Sequence, residues 1–232
     1  MRHAAKHAGM TWLDSAEFAL RRSPPPLDTD EVHLWLWRDA AARGREGESA
    51  ALQRLRCLLG AYVGVAPAAL DLRREAYGKP RLDLPGAPGF NLSHSGDCVA
   101  AVVAAGVDPG VDVELPRRSR AYLGLAQRYF DAGEAAALAG LCSDKREAAF
   151  HALWTGKEAV LKADGRGLAY GLQRVVFELD AAGQPLALLR VEGAAGPADA
   201  WQVHHFLPAV GGHGAVAWRG PPRRIRAYRL DG

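Results

Sequence analysis

EVHLWLW at 31–37 alternates polar and apolar residues at its start and then runs apolar, well enough for a strand. From 49 to 63 the apolar positions Leu52, Leu55, Leu58 or Leu59 and Tyr62 recur at helical spacing and predict a helix. Short apolar runs at 90–92 and 98–104 read as strands around a polar turn at 93–97. A second turn, at Asp108, Pro109 and Gly110, leads into the strand GVDVE at 110–114. Residues 1–30 close on Ser23 and three prolines without any period, so an irregular arm is expected there. The basic stretch LPRRSR at 115–120, broken by Pro116, is the expected linker. Helical spacing dominates 131–141 and 143–162 beyond it, with Ser143 as the expected cap of the second helix. Strand-like runs follow at 174–179, 186–191, 201–207 and 214–218. Each half thus supplies helices and then strands, which predicts an α+β fold of two similar halves, 1–115 and 116–232.

Composition narrows the class. At 232 residues and 49% hydrophobic content the chain can bury a substantial core. No run approaches the roughly 18 apolar residues of a membrane span, and 1–10 lacks the apolar core of a signal peptide, so a cytoplasmic protein without a membrane partner is expected. Cys57, Cys98 and Cys142 are odd in number, far apart and set among apolar neighbours, and are expected to be core thiols. A net charge of +3 does not suggest a nucleic-acid partner, and the arginines between Arg219 and Arg229 read as a solvated tail. All but five of the 29 basic residues are arginine. A lysine in such a chain answers a local need for a compact point charge, and Lys79, Lys157 and Lys162 fall inside the stretches that carry chemistry.

In GVDVE, strand alternation puts Asp112 and Glu114 on one face and Val111 and Val113 on the other. Two carboxylates so placed repel, which raises one pKa or calls for a cation between them. On the predicted helix, Trp154, Glu158 and Lys162 share one face at i, i+4 and i+8. By themselves Glu158 and Lys162 are an ordinary surface ion pair and Trp154 a core residue. YGKP at 77–80 sets a lysine on a turn, and FNLSHSGD at 90–97 ends a strand in hydroxyls and an imidazole, groups that donate to anions but also populate ordinary turns. Acids for a divalent ion together with cations and donors for phosphates are what metal-assisted phosphoryl transfer needs.

In this order, YGKP, FNLSHSGD, GVDVE and WTGKEAVLKADGRGL (154–168) resemble the signature motifs of the 4′-phosphopantetheinyl transferases, specifically the Sfp type with two homologous halves in one chain. The resemblance implies a pseudo-twofold pair of α/β halves with the active site at their interface, complete in a monomer. It implies that Asp112, Glu114 and Glu158 bind Mg²⁺, and that Lys162 and His94 contact the phosphates of coenzyme A. Lys79 and Ser93 match positions near the adenosine end, and Lys157 a lysine close to the site. The implied reaction moves 4′-phosphopantetheine from coenzyme A to a serine of an apo acyl or peptidyl carrier protein and releases 3′,5′-adenosine bisphosphate. Glu158 is the candidate general base and Lys162 the cation beside the transferring phosphate. Relatives carry a longer basic segment near the N-terminus for the 3′-phosphate. Here the stretch RDAAARGREGE at 38–48 reads as short and flexible, leaving Arg43, Arg45 and Ser49 for that role. Arg117, Arg118 and Arg120 suit an acidic carrier surface.

Two other classes bear comparison. A metal-dependent nuclease clusters an acid with an acid-x-lysine strand, whereas Glu158 and Lys162 stand four apart on a helix. A non-catalytic coenzyme A or carrier-binding descendant would have lost part of the acid set, which is intact.

Overall fold

The computed structural model describes residues 10, 12–39, 45–115, 121–209 and 211–231. In chain order the elements are β1 (Trp12–Asp14), β2 (Ala19–Arg21), β3 (Glu31–Arg38), α1 (Arg45–Val63), β4 (Leu72–Arg74), β5 (Pro80–Leu82), β6 (Gly89–Ser95), β7 (Cys98–Ala104), β8 (Gly110–Glu114), α2 (Tyr122–Tyr129), α3 (Ala132–Gly140), α4 (Ser143–Asp164), β9 (Val175–Leu179), β10 (Pro185–Val191), β11 (Trp201–Leu207), β12 (His213–Arg219) and β13 (Arg224–Leu230). The fold is mixed α and β, as the periodicities predict.

Two sheets organise it. One has five strands in the order β2-β13-β3-β7-β6, the other four in the order β1-β11-β12-β8. Strands from both sides of residue 115 share each sheet: β1 and β8 lie with β11 and β12, and β13 runs parallel between β2 and β3. Helix α1 covers one face of the larger sheet, packing Leu55, Leu58 and Leu59 against Trp35, Phe90 and Val99. The smaller sheet covers its other face, with Val111, Val113 and Trp218 against Leu34, Leu36 and Val102. Helix α4 then packs Ala159 and Ala163 on Ala215 and Ala217 of the smaller sheet. Burial of each such leucine or valine contributes about 2 kcal/mol, so the layers α1, sheet, sheet, α4 hold together chiefly through apolar contact.

Several expectations need correction. The arm at 1–30 contains β1 and β2, three-residue strands too short to show a period. The tail at 219–229 is not solvated chain but carries β13, whose Arg226 and Arg224 face Glu31 and Asp30 at 2.9 and 3.2 Å. Helix α1 begins at Arg45, inside the stretch read as flexible. Position 142, not Ser143, is the N-cap of α4, and the Cys142 side chain makes no capping bond. Only Cys98 is a core thiol; Cys57 and Cys142 are exposed, Cys57 because α1 turns Leu55, Leu58 and Leu59 inward. The linker arginines Arg117, Arg118 and Arg120 lie outside the described residues. Among the described residues no helix is long and apolar enough to cross a membrane.

Candidate active site

The two motif-bearing elements meet because a glycine lets them. A Cβ on Gly110, the first residue of β8, would stand 2.1 Å from the Ala159 carbonyl oxygen and 2.4 Å from the Ala163 amide nitrogen of α4. Only a residue without a side chain allows a strand so near a helix backbone. The alternation of β8 then directs Val111 and Val113 into the core between the sheets, where they are 0% and 1% exposed, and Asp112 and Glu114 to the other face.

Three side chains of β6 hold β8 in place. The polar run at 93–97 is not a loop: β6 continues to Ser95, and the turn is confined to Gly96 and Asp97. Asn91, Ser93 and Ser95 consequently alternate onto one face. The Asn91 Oδ1 accepts from the Val111 amide at 3.0 Å, and Ser93 Oγ donates to Asp112 Oδ1 at 2.8 Å. Ser95 Oγ donates to Glu114 Oε2 at 2.9 Å while accepting from the Leu115 amide at 3.1 Å. Each strand acid thus has its own serine. Ser93 was expected near coenzyme A; Ser95 and Asn91 were not singled out, although their spacing of two is the sequence signal that a strand would align them.

From α4, Lys162 reaches the same place. Its Nζ donates to Asp112 Oδ1 at 2.6 Å and to Ser93 Oγ at 3.0 Å. Glu158, one turn earlier, is 8% exposed. Burial, with the neighbouring Asp112 and Glu114 acting in the same sense and Lys162 against them, pushes its carboxyl up to about 7. Asp112 keeps its other oxygen, Oδ2, buried without a partner among the described residues. Trp154 packs on Phe150 and Phe130, with ring centroids 5.7 and 6.2 Å away, as a core residue would.

The remaining expected residues are placed elsewhere. His94 is exposed, and strand alternation sets it with Phe90 and Leu92 on the α1 side of β6, opposite Ser93 and Ser95. Lys79 is 7% exposed and donates to the carbonyls of Pro109 at 3.2 Å and Ala163 at 3.1 Å, which clamps the entry of β8 to the end of α4. Burial holds its pKa below the usual lysine value. Lys157 points away from the acids and is wholly buried, donating to Glu134 Oε2 at 2.5 Å, to the Leu172 carbonyl at 3.3 Å and to the Val175 carbonyl. Its neighbour Glu158 faces β8 because adjacent helical residues diverge by about 100°. Arg43 lies outside the described residues, as do the side chains of Arg45 and Ser49.

Hard oxygen donors, an unpartnered buried Asp112 Oδ2 and a Glu158 carboxyl raised by burial and by its acidic neighbours suit a divalent cation such as Mg²⁺. Among the described residues no three carboxylate, imidazole or thiol groups are gathered to enclose an ion unaided. That also accords with Mg²⁺, which is commonly held by one or two carboxylates and completed by substrate phosphates and water.

Comparison with known proteins agrees with this geometry. Residues 108–216 match the 4′-phosphopantetheinyl transferase superfamily. The 4′-phosphopantetheinyl transferase HetI of Nostoc sp. (strain PCC 7120) is 33% identical over 189 residues, 68% of this chain and 76% of HetI. The transferase psf-1 of Bacillus pumilus is 36% identical over 110 residues, covering 47% of this chain and 46% of psf-1. The Bacillus subtilis transferase ffp is 41% identical over 106 residues, 44% of this chain and 45% of ffp. HetI apart, the chain spans about half the length of these curated relatives.

Proposed function

The chain belongs to the 4′-phosphopantetheinyl transferase superfamily, and from that premise we propose that it transfers 4′-phosphopantetheine from coenzyme A to a serine of an apo acyl or peptidyl carrier protein. The observation that carries this reading is the convergence of Asp112, Ser93 and Lys162 at 2.6–3.0 Å beside the buried Glu158, on three elements separated in sequence.

The serine oxygen attacks the β-phosphorus of coenzyme A; its bond to the bridging oxygen breaks, and 3′,5′-adenosine bisphosphate leaves with that oxygen. Glu158, raised to about 7, is suited to take the serine proton near neutral pH. Lys162 offers a mobile ammonium that can exchange Asp112 for a phosphate oxygen. Ser93 and Ser95 keep the two strand carboxylates from turning. Mg²⁺, which Asp112, Glu114 and Glu158 would hold, supplies neutralisation of charge on the diphosphate. In the same reading the chain is of the two-half Sfp type and works as a monomer, with Arg43, Arg45 and Ser49 left to hold the 3′-phosphate and His94 a phosphate. Lys79 would serve coenzyme A only by releasing two carbonyls, and Lys157 is left out of substrate binding.

Intact-mass spectrometry of an apo carrier incubated with the protein and coenzyme A tests the proposal. The carrier is expected to gain the mass of one phosphopantetheine when Mg²⁺ is present and nothing when it is omitted. Unmodified acyl and peptidyl carriers in the presence of folded protein would count for a binding descendant instead.

A further inference from the structure

Helix α4 lies close against the smaller sheet. Gly110, Ala215 and Ala217 face Ala159 and Ala163 beside the acid cluster, while toward the start of the helix Gly156 meets the His205 ring of β11 and His151 stacks on His213 of β12. Beside Glu158 and Lys162 the seam is made of small residues, so sliding by one residue, about 1.5 Å, or turning by about 100° is opposed on this side by the ring contacts at His151 and Gly156 and the Lys79 bond to the Ala163 carbonyl. Either slip would carry Glu158 and Lys162 away from Asp112.

On the opposite side of the same helix, Lys157 and Glu134 form a fully enclosed ion pair, with side chains 0% and 2% exposed. Their bonds reach in every direction. Lys157 Nζ donates to Glu134 and to the carbonyls of Leu172 and Val175, and lies 4.9 Å from the Phe130 ring centroid. Glu134 Oε1 accepts from the Phe177 amide at 2.9 Å, and Oε2 from the Asp131 amide at 3.2 Å, which also closes the capping box of α3. One helical lysine is thereby fixed to α3, to β9 and to the turn before β9. Enclosed pairs of this type seldom add stability over apolar residues of the same volume, and their attested contribution is to specify one arrangement among several.

We infer that the Lys157–Glu134 pair is a register lock for α4, a positioning element that acts on the site only through Glu158 and Lys162. The inference rests on the transferase reading and adds residues outside the acid cluster to it. Glu158 is the next residue along the helix, so an anchor at 157 sets its direction with the least intervening freedom. The lock also accounts for a lysine at 157 that touches no surface.

The double variant Lys157→Met/Glu134→Gln in the full chain removes both charges and keeps one acceptor oxygen, for the Phe177 amide, while the Asp131 amide loses its side-chain acceptor. Circular dichroism and thermal unfolding report the fold, calorimetric titration with Mg²⁺ alone reports the site, and the transfer assay separates kcat from KM for coenzyme A. The expected result is cooperative unfolding, Mg²⁺ affinity weaker by about tenfold or more, and kcat reduced by a similar factor at saturating Mg²⁺ with little change in KM. The milder Glu134→Asp, which retracts the acceptor and keeps the charge, is expected to lose affinity to an intermediate degree. A folded double variant with Mg²⁺ affinity and kcat within about twofold of the parent overturns the inference. So does failure of both variants to fold, since the pair would then be a stability element alone. A parent chain that neither binds Mg²⁺ nor modifies a carrier overturns the transferase reading, whichever way the variants behave.

Discussion

Ser95 bonds the Glu114 carboxylate and the Leu115 amide with one hydroxyl, and is itself 0% exposed. Removing that hydroxyl leaves a part-buried amide without its side-chain acceptor and takes one bond from the Glu114 carboxylate. Ser95→Ala is expected to lower thermal stability by about 1–3 kcal/mol and to reduce transfer by roughly tenfold at fixed Mg²⁺, partly restored by higher Mg²⁺. Unchanged rate and Mg²⁺ dependence would show that Glu114 needs no support. At this scale the sequence was most legible where period and chemistry coincide. GVDVE alone gives the acid face of β8, and the spacing of Glu158 and Lys162 gives their shared helix face. Lys157 was misplaced because a residue adjacent to a site in sequence projects elsewhere on a helix, and its partner Glu134 comes from another element. The D-x-x-E of its capping box is readable; its bond to Lys157 is a tertiary event.

Among the elements, the contact of β8 with α4 is the one the site cannot do without. Gly110→Ala places a methyl group within 2.1–3.0 Å of α4 backbone atoms that cannot move aside singly. The variant is expected to lose at least about 2 kcal/mol of stability, and transfer to fall further than the stability loss explains, because the strand acids retreat from Lys162. Parallel urea unfolding and carrier-modification rates check this; a stable, active variant would mean that the strand shifts without consequence. The long alternating or helical segments β3, α1, β7, α4 and β11 were readable because each has enough residues to show a period. β1 and β2 have three residues each, α2 only eight, and β13 hides its alternation under exposed arginines. What identifies β13 as an interior strand is its pairing with β2 and β3, which no local pattern encodes.

Over the whole molecule, buried histidines set the response to acid. Burial pushes His205 down to about 3 and His213 to about 4, and lowers His33 and His204 as well. With the unfolded values near 6.5, the unfolded chain takes up protons that the folded chain refuses. Stability is therefore fully present above about pH 6.5 and falls by about 1.4 kcal/mol per pH unit for each of His205 and His213 as pH drops toward 4, with His33 and His204 acting in the same direction. Glu158, raised to about 7, works in the opposite sense, gaining as pH falls from 7 to 4.5, but it is one group against several. Melting curves from pH 7 to 4 are expected to show a steep loss of stability below pH 6; a flat profile would place these histidines in contact with water. The charge total of the sequence carries no sign of this, since it depends on which imidazoles the packed helices and sheets enclose.

The central claim is that Asp112, held by Ser93 and Lys162, faces the reacting phosphates and not the core. The most direct test is the rate of carrier modification by Asp112→Ala beside the parent chain at saturating Mg²⁺, read by intact mass, with a melting curve of each. The account predicts a rate loss of about a hundredfold or more with a melting temperature unchanged or raised, because the substitution relieves like-charge repulsion from Glu158 and Glu114. A variant that transfers at nearly the parental rate, or loses activity only by unfolding, would contradict it.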